Sequence, residues 1–533
     1  MTQLKNLKII KKPEIIFAKR ILKEISTGLI STQKELERKK KVYSKYYHLD
    51  EMPTNPFILS FSQNPSKKEL ELLSIKPTRS ASGVQVIAVM LPPFPCPGKC
   101  TYCPSSLEGK RAPKSYTGFE PSTLRAQRLN YDPFKIVSNR IKQLDATGNK
   151  AEKVELIFQG SSFTSLPPLK QKSIVKKSID AIVGKKSNSL SRAKLSAESS
   201  NRRISGITFE TRPDLCKKTD IKRMLNLGGT RVELGVQNPD DFVYKKNCRG
   251  HTTEDVIKST QLLKDCAFKV LYHLMPGLPG SDFNKDLKNF KKIFSDPNFK
   301  PDMVKFYPCL VIKGTKLYDE WIKGDFVPLN EEKAIKLLSE IKSTLPKWVR
   351  VMRVNRDIPS TIISGGIMKT NLRQLVEDEL KSQGKKCNCI RCREIGLILR
   401  KNSAPDLNAK LNTEFYDASN GEEAFISFES KDALFGFARL RKPASPFMKQ
   451  ITPRTALVRE LHVYGRALSL GEHDEKSSQH KGLGKELMQE AERIAKEKFG
   501  ANKMIVISGL GVKQYYSKNF GYKKEGPYMA KKI

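Results

Sequence analysis

Three cysteines sit in one short loop, Pro95-Cys96-Pro97-Gly98-Lys99-Cys100-Thr101-Tyr102-Cys103-Pro104. Thiolates spaced C-x3-C-x2-C can ligate three irons of a 4Fe–4S cube and leave the fourth iron without a protein ligand. An iron left open in this way can chelate the amino and carboxylate groups of S-adenosylmethionine. Electron transfer from the cluster then breaks a carbon–sulfur bond and yields a 5′-deoxyadenosyl radical. The competing reading is a zinc loop, but zinc wants a fourth Cys or His nearby and this loop has none. Gln159-Gly160, at the end of a second strand, stands where a Gly-Gly-Glu-like stretch would help bind the methionine amine.

A second triad follows much later, Cys387-Asn388-Cys389-Ile390-Arg391-Cys392. Its C-x-C-x2-C spacing is too tight to mirror the first loop, and structural zinc with a fourth ligand from elsewhere is the expectation. A second iron–sulfur site and an unmetallated thiol cluster stay open as alternatives. Cys216, Cys248, Cys266 and Cys309 are scattered and read mostly as small core residues. Lys11, Lys12, Glu14, Lys19 and Arg20 interrupt any apolar core of a leader peptide. Ten cysteines without a leader argue for metal or redox chemistry in the cytoplasm rather than for a disulfide framework. No apolar stretch is long enough to span a membrane.

A third constellation lies near the C-terminus. Gln479-His480-Lys481-Gly482-Leu483-Gly484 fits R/Q-x-x-G-x-G/A and runs into an amphipathic stretch, 485–499. Backbone amides of such a turn, at a helix N-terminus, bind the pyrophosphate of coenzyme A. A strand at 457–464 precedes the turn, a strand at 503–508 follows the helix, and Tyr515-Tyr516 ride on a further helix within 511–520. This is the order of a GNAT-type acetyltransferase core. A tyrosine there can reach the departing thiolate or the thioester; the alternative is amphipathic packing with one ring buried and one exposed. Glu460 lies where many such enzymes carry a base, but could equally be a salt-bridged residue, and receives no role.

The elements that must position these groups follow from the apolar pattern. Strands are expected at 84–90, 154–158, 204–210, 231–236, 269–273 and 303–307, separated by amphipathic stretches such as 121–144 and 252–266. Strand–helix alternation of this kind gives an α/β fold with a parallel sheet, open or curled into a partial TIM-type barrel, and its chemistry gathers at the carboxyl ends of the strands. The first cysteine loop, Gln159-Gly160, Glu210-Thr211-Arg212 and Gln237 all fall there. Four parts are expected: a basic helical segment (1–80), the barrel (81–345), a zinc-binding connector (346–400) and the acetyltransferase domain (401–533). The Ser-, Lys- and Arg-rich stretch 184–203 reads as an exposed loop or frayed helix. Lys and Arg number 97 against 56 Asp and Glu, a net charge of +41, which favours a polyanionic partner, nucleic acid first.

Taken together, the chain resembles the catalytic subunit of Elongator, a radical S-adenosylmethionine barrel fused to a GNAT domain. Beyond the cysteines, the resemblance rests on Arg79-Ser80-x-Ser82-Gly83-Val84, Tyr116-x-Gly118-x-Glu120-Pro121, Glu210-Thr211-Arg212-Pro213-Asp214, Glu233-Leu234-Gly235-Val236-Gln237, Arg249-Gly250-His251-Thr252 and His273-x-Met275-Pro276-Gly277-Leu278-Pro279. It implies a carboxymethyl group built at carbon 5 of the wobble uridine of tRNA. The radical would remove a hydrogen from the acetyl-CoA methyl, the resulting carbon radical would add to the uracil ring, and electron loss with thioester hydrolysis would leave the carboxymethyl group there. It further implies the anticodon stem-loop as partner, with accessory subunits or a second copy of the chain as further candidates. The basic N-terminal segment, with Lys385 and Lys386, becomes a tRNA contact. A protein lysine acetyltransferase with a structural iron–sulfur cluster is the alternative.

Overall fold

Short runs rich in Val, Ile and aromatic residues, alternating with amphipathic helices, return to one sheet in parallel. In the computed structural model β1 (Val84–Met90), β2 (Lys153–Gln159), β3 (Arg203–Thr211), β4 (Arg231–Gln237), β5 (Lys269–Leu274), β6 (Met303–Phe306) and β7 (Arg350–Val354) pair in chain order, each parallel to the next. The structure describes residues 12–49, 52–62, 65–73, 83–160, 162–400, 405–464 and 482–533. Strand order never reverses, as in a partial barrel and unlike a doubly wound sheet. The seventh strand lies past 345, inside the span read as a connector. Arg350 and Arg353 interrupt its apolar pattern and hid it.

Two local expectations change. The stretch 121–144 is two helices, Pro121–Arg128 and Pro133–Ala146, because Asn130 and Tyr131 take positive φ (50° and 55°) ahead of Pro133. Asn and Asp tolerate this turn, and the residue before a proline leaves the helical region. The stretch 184–203 contains a helix, Leu190–Glu198, capped by the Ser189 side chain and burying Leu190, Ala193 and Ala197. Its Glu198 accepts hydrogen bonds from Lys513 and Lys524, both at 2.9 Å. The segment is thus a docking helix between the barrel and the C-terminal domain.

That domain is a second sheet of β8 (Lys410–Ala418), β9 (Gly421–Glu429), β10 (Leu434–Lys442), β11 (Thr455–Val463), β12 (Lys503–Val506), β13 (Lys523–Glu525) and β14 (Tyr528–Lys532), in the order β8-β9-β10-β11-β12-β14-β13. All neighbours are antiparallel except β11 and β12, whose parallel pairing ends at Val458–Val506 while β11 runs on to Val463. The helix Leu483–Glu497 buries Leu487, Met488, Ala491, Ile494 and Ala495, one face at helical spacing.

The two sheets meet across fully buried charges. Asp302 accepts from Arg459 Nη1 at 2.8 Å, and Glu423 accepts from Arg459 Nη2 at 2.6 Å and Lys264 Nζ at 3.0 Å. Arg441 reaches Asp265 at 2.6 Å and Glu423 at 3.1 Å, and Arg439 donates to Glu460 at 2.9 Å. Asp265, Asp302 and Lys264 come from the barrel; the others come from the second sheet. Nearby, a Cβ on Gly509 would lie 2.3 Å from the Ser205 carbonyl oxygen, so only glycine lets this backbone dock on β3.

A separate helical unit comprises residues 1–79 with 138–152. Its described helices Lys12–Ser26, Gln33–Tyr46, Asn55–Leu59 and Lys67–Leu73 bury Phe17, Ile21, Leu36, Tyr43 and Leu73 in a core of their own. Within the basic run, Lys39 pairs with Glu24 at 3.0 Å and buried Lys40 donates to Asn55 at 2.8 Å. Lys41, Lys67 and Lys68 are exposed. No described helix is long and apolar enough to cross a membrane.

Candidate active site

The first cysteine loop leaves the end of β1, held there by Leu91 N–H donating to Gln159 at 2.8 Å. Cys103 N–H closes a turn on the Cys100 carbonyl at 3.2 Å, and Thr101 N–H donates to the Asn247 carbonyl at 3.2 Å. Tyr102, the aromatic before the last cysteine, packs under the loop against Val243, Met275 and Leu278. Cys96, Cys100 and Cys103 therefore face a cavity at the carboxyl ends of the strands, with Gln159, Glu210, Arg212 and Gln237 on its wall.

Cations surround the thiols. Arg249 Nη1 donates to Cys100 Sγ at 3.3 Å. Arg212 Nη2 donates to the Arg249 carbonyl at 2.7 Å, and a Cβ on Gly98 would meet Arg212 Nη1 at 2.2 Å, so the guanidinium lies on the loop itself. Burial pushes the Cys100 thiol up, but the Arg249 charge and hydrogen bond, with Arg212, more than offset this and hold it below its usual range. Arg212 Nη1, Arg249 Nε and Gln237 Oε1 are buried without hydrogen-bond partners. Buried orphans of this kind call for a ligand. Gln237 also takes φ +68°, a conformation rare for a side chain of its size. The donor set fits an anionic cluster and a zwitterionic ligand beside it.

Gln159 lines the cavity, but its Nε2 is turned to Glu210 at 3.4 Å. Gly160 has φ +100° and is hemmed in by Pro113 and Met90, and its backbone N–H also serves Glu210.

Deeper in the barrel is a row of charges that the sequence reading did not assemble. Glu210 on β3 and Glu233 on β4 are register partners, as are His273 on β5 and Lys305 on β6. His273 Nε2 lies 2.7 Å from Glu233, Lys305 bonds the same carboxylate, and Lys305 Nζ is 3.9 Å from Glu210. Burial pushes Glu233 up, but Lys305, His273 and Arg231 overcome it and keep it ionised. Burial also raises Glu210, and there Lys305 and His273 only partly compensate. The cavity wall thus carries an imidazole and a carboxyl that burial holds above the ordinary glutamate range, with the Lys305 ammonium in contact with both carboxylates. The available signal was an ionisable residue within each of four successive strands.

The second triad is built differently. The sulfurs of Cys387, Cys389 and Cys392 lie within 4.8 Å of one another, close enough for one ion, whereas the first triad forms no such tight group. No fourth His, Cys, Asp or Glu joins them among the described residues. The loop is pinned to the barrel by Ile390 N–H on the Val349 carbonyl at 2.9 Å, and to the second sheet by Arg393 on Glu429.

In the C-terminal domain Gly482 takes φ +77° and starts the helix Leu483–Glu497, with Leu483 and Gly484 in its first turn. Gln479, His480 and Lys481 lie outside the described residues. A Cβ on Gly484 would sit 2.8 Å from the Tyr515 hydroxyl, so Tyr515 reaches the start of this helix. Tyr515 is 38% exposed and Tyr516 6%, packed against Phe520 and Tyr522. The pair divides into one tyrosine at the start of the Leu483–Glu497 helix and one in the core. Glu460 is the half-buried partner of Arg439 and is held ionised: burial raises it, and Lys269 and Arg439 pull it further down.

Comparison with known proteins gives the class first. Residues 93–290 match the Radical SAM superfamily, 301–382 its C-terminal domain, and 396–522 the acetyltransferase (GNAT) family. The chain is a radical S-adenosylmethionine barrel joined to a GNAT acetyltransferase. The "tRNA uridine(34) acetyltransferase" of Methanocaldococcus infernus is 47% identical over 524 residues, covering 96% of this chain and 98% of that protein. "Elongator complex protein 3" of Saccharomyces cerevisiae is 39% identical over 506 residues, covering 92% and 90%. The solved structure of the archaeal M. infernus Elp3 with its N-terminus deleted superposes with a TM-score of 0.75 at 45% identity, covering 85% of this chain and 100% of that one. The chain belongs to the Elongator complex protein 3 / tRNA uridine(34) acetyltransferase family.

Proposed function

We propose that this chain carboxymethylates the wobble uridine of tRNA at carbon 5, with acetyl-CoA as the two-carbon donor. The observation that carries the reading is the shared cavity. Three thiols, the orphaned polar groups of Arg212, Arg249 and Gln237, and Glu210, Glu233 and His273 face one space, with Lys305 bonded to Glu233, in the same compact unit as the acetyltransferase sheet. A 4Fe–4S cluster with S-adenosylmethionine supplies a 5′-deoxyadenosyl radical there when bound. Cys96, Cys100 and Cys103 hold the cluster, and Arg212, Gln237, Gln159 and Gly160 line the place for the methionine end. His273 offers a donor and Glu210 an acceptor, with Lys305 holding the carboxylates, to the edge of an inserted uracil, whose unpaired position in a loop makes it accessible. In the second domain the amides of Gly482, Leu483 and Gly484, with Gln479, His480 and Lys481, receive the pyrophosphate. Tyr515 donates a proton to the departing thiolate, a role supported by the approach of its hydroxyl to the helix start at Gly484.

Further assignments belong to the same reading. Cys387, Cys389 and Cys392 bind zinc in the connector, 346–400, between the barrel (81–345, with β7 carried past it) and the GNAT domain (401–533). The basic helices of 1–80 and Lys386 contact tRNA phosphates, while Lys385 is tied to Glu340 at 2.8 Å. The chain works in the cytoplasm, with accessory subunits or as a homodimer.

The deciding experiment incubates anaerobically reconstituted protein with tRNA, acetyl-CoA, S-adenosylmethionine and a reductant, then weighs the nucleosides by mass spectrometry. Carboxymethyluridine is expected. A loaded cluster that yields none, while a basic peptide gains acetyl-lysine, overturns the reading in favour of a protein acetyltransferase.

A further inference from the structure

We propose that Arg249, backed by Arg212, is a positioning residue that makes the cluster at Cys96, Cys100 and Cys103 reducible, by placing uncompensated positive charge and a hydrogen bond at the Cys100 sulfur. The inference rests on the cluster assignment above and adds a role for two arginines that bind none of the irons.

Arg249 is 8% exposed. Nη1 donates to Cys100 Sγ at 3.3 Å and Nη2 to the Gly235 carbonyl at 2.5 Å, so the fork is fixed between the loop and the end of β4. Among the described residues no carboxylate pairs with it. Arg212 stands behind, gripped by Asp214 through Nε at 2.9 Å and Nη2 at 3.0 Å, with its Nη1 against Gly98. Asp214 is the one acid that serves the pair. The neighbouring His251 is buried against Tyr244 with no hydrogen bond on either ring nitrogen, its Nδ1 3.7 Å from the same Asp214, and it supplies no compensating negative charge.

A buried guanidinium without a counter-ion is costly unless an anion shares its site. Three thiolates on a cubane carry one net negative charge in the oxidised state and two after reduction, so the anion grows as the electron arrives. Charge and hydrogen bonds at the ligand sulfurs are among the factors that set the potential of such clusters. Arg249, with no carboxylate of its own, and Arg212, its charge partly offset by Asp214, favour the reduced form, the state needed to open S-adenosylmethionine. A purely mechanical clamp between Cys100 and Gly235 would need the fork and not the charge, and substitution separates the two.

Full-length wild type, Arg249→Lys and Arg249→Gln are reconstituted anaerobically, their iron is counted, and the midpoint potential is read by EPR-monitored titration without S-adenosylmethionine. Arg249→Gln is expected to lower the reduced-to-oxidised ratio at fixed potential at least tenfold, a fall of 59 mV or more for one electron. Arg249→Lys, which keeps the charge, stays within threefold of wild type. A fully loaded Arg249→Gln at the wild-type potential overturns the proposal, and so does an Arg249→Lys that falls as far as Arg249→Gln. If Arg249→Gln retains no iron, Arg212→Gln decides: a tenfold fall supports the proposal and an unchanged potential overturns it. Wild-type protein that takes up no iron removes the cluster assignment and this inference with it, whereas flat potentials on loaded clusters remove the inference alone.

Discussion

Replacing Asp302 with asparagine tests the joint between the two catalytic halves. The side chain is fully buried and accepts from Arg459 Nη1 and the Val270 N–H, both at 2.8 Å, with Arg439 at 3.7 Å and Lys264 at 4.0 Å. Asparagine keeps the shape but turns an amide toward guanidinium donors and leaves the cluster one negative charge short. Hydrogen bonds to charged groups contribute about 1.5–3 kcal/mol each, and breaking a buried pair costs about 3–5 kcal/mol. A loss of about 4 kcal/mol is expected. The molecule carries a reporter at this joint: Trp348 stacks on Tyr416 with centroids 4.5 Å apart, and its carbonyl accepts from Arg439 at 2.7 Å. The other tryptophan, Trp321, lies on the helix Lys316–Ile322 of the barrel. With Trp321→Phe as background, the Trp348 fluorescence transition in urea should move down by about 2 M for a slope near 2 kcal/mol per molar. A shift below about 0.5 M would mean that the network contributes little and that apolar contacts hold the joint.

The same reporter reads acid sensitivity. Burial raises Glu423, but Arg459 and Lys264 overcome this and hold it down to about 2, and Asp302 is held low by the same cations. Carboxylates depressed in the folded state contribute stability that is present above their unfolded values near 4–4.5 and lost as pH falls through the folded ones. Trp348 should therefore report opening below about pH 4, ahead of Trp321; coincident transitions refute this. For the second triad, one zinc per chain is expected to survive Cys96→Ala and to vanish with Cys392→Ser, as measured by elemental analysis; loss of iron in Cys392→Ser instead would refute the separation of the sites. Tyr515→Phe is expected to slow acetyl-CoA hydrolysis about 100-fold with unchanged melting, while Tyr516→Phe lowers the melting temperature; the reverse pattern would exchange their roles.

What the sequence showed was local. C-x3-C-x2-C is complete within one loop, and strands such as 84–90 are continuous apolar runs, so both could be read directly. The row of Glu210, Glu233, His273 and Lys305 could not, because each stands on a different strand and their convergence depends on register across four strands. Tyr515 and Tyr516 are a helix step of about 100° apart, so only one can face Gly484, and the choice is made by how the helix seats on the sheet. The Ser-rich 184–203 stretch suggested an exposed loop or a frayed helix because Ser189 is cap chemistry, and the three buried positions behind it are few. The break at 129–132 was legible in Asn-Tyr-Asp-Pro, but the amphipathic period on both sides concealed it.

The joint itself shows why these two domains act as one enzyme. An apolar interface would stabilise contact at lower desolvation cost, since buried ions often gain little over well-packed hydrophobes. It would also tolerate sliding, because dispersion contacts have no direction. Asp265, Asp302, Glu423 and Glu460 pair with Lys264, Arg439, Arg441 and Arg459 in a single register, and a displacement of one residue would leave full charges unpaired in the dry interior. A two-carbon unit activated in one domain and held by the other demands that the distance between sites be fixed to a fraction of an ångström. Directional charge supplies that fixity, and the docking of Gly509 on β3 and of Glu198 on Lys513 and Lys524 closes the remaining rotation.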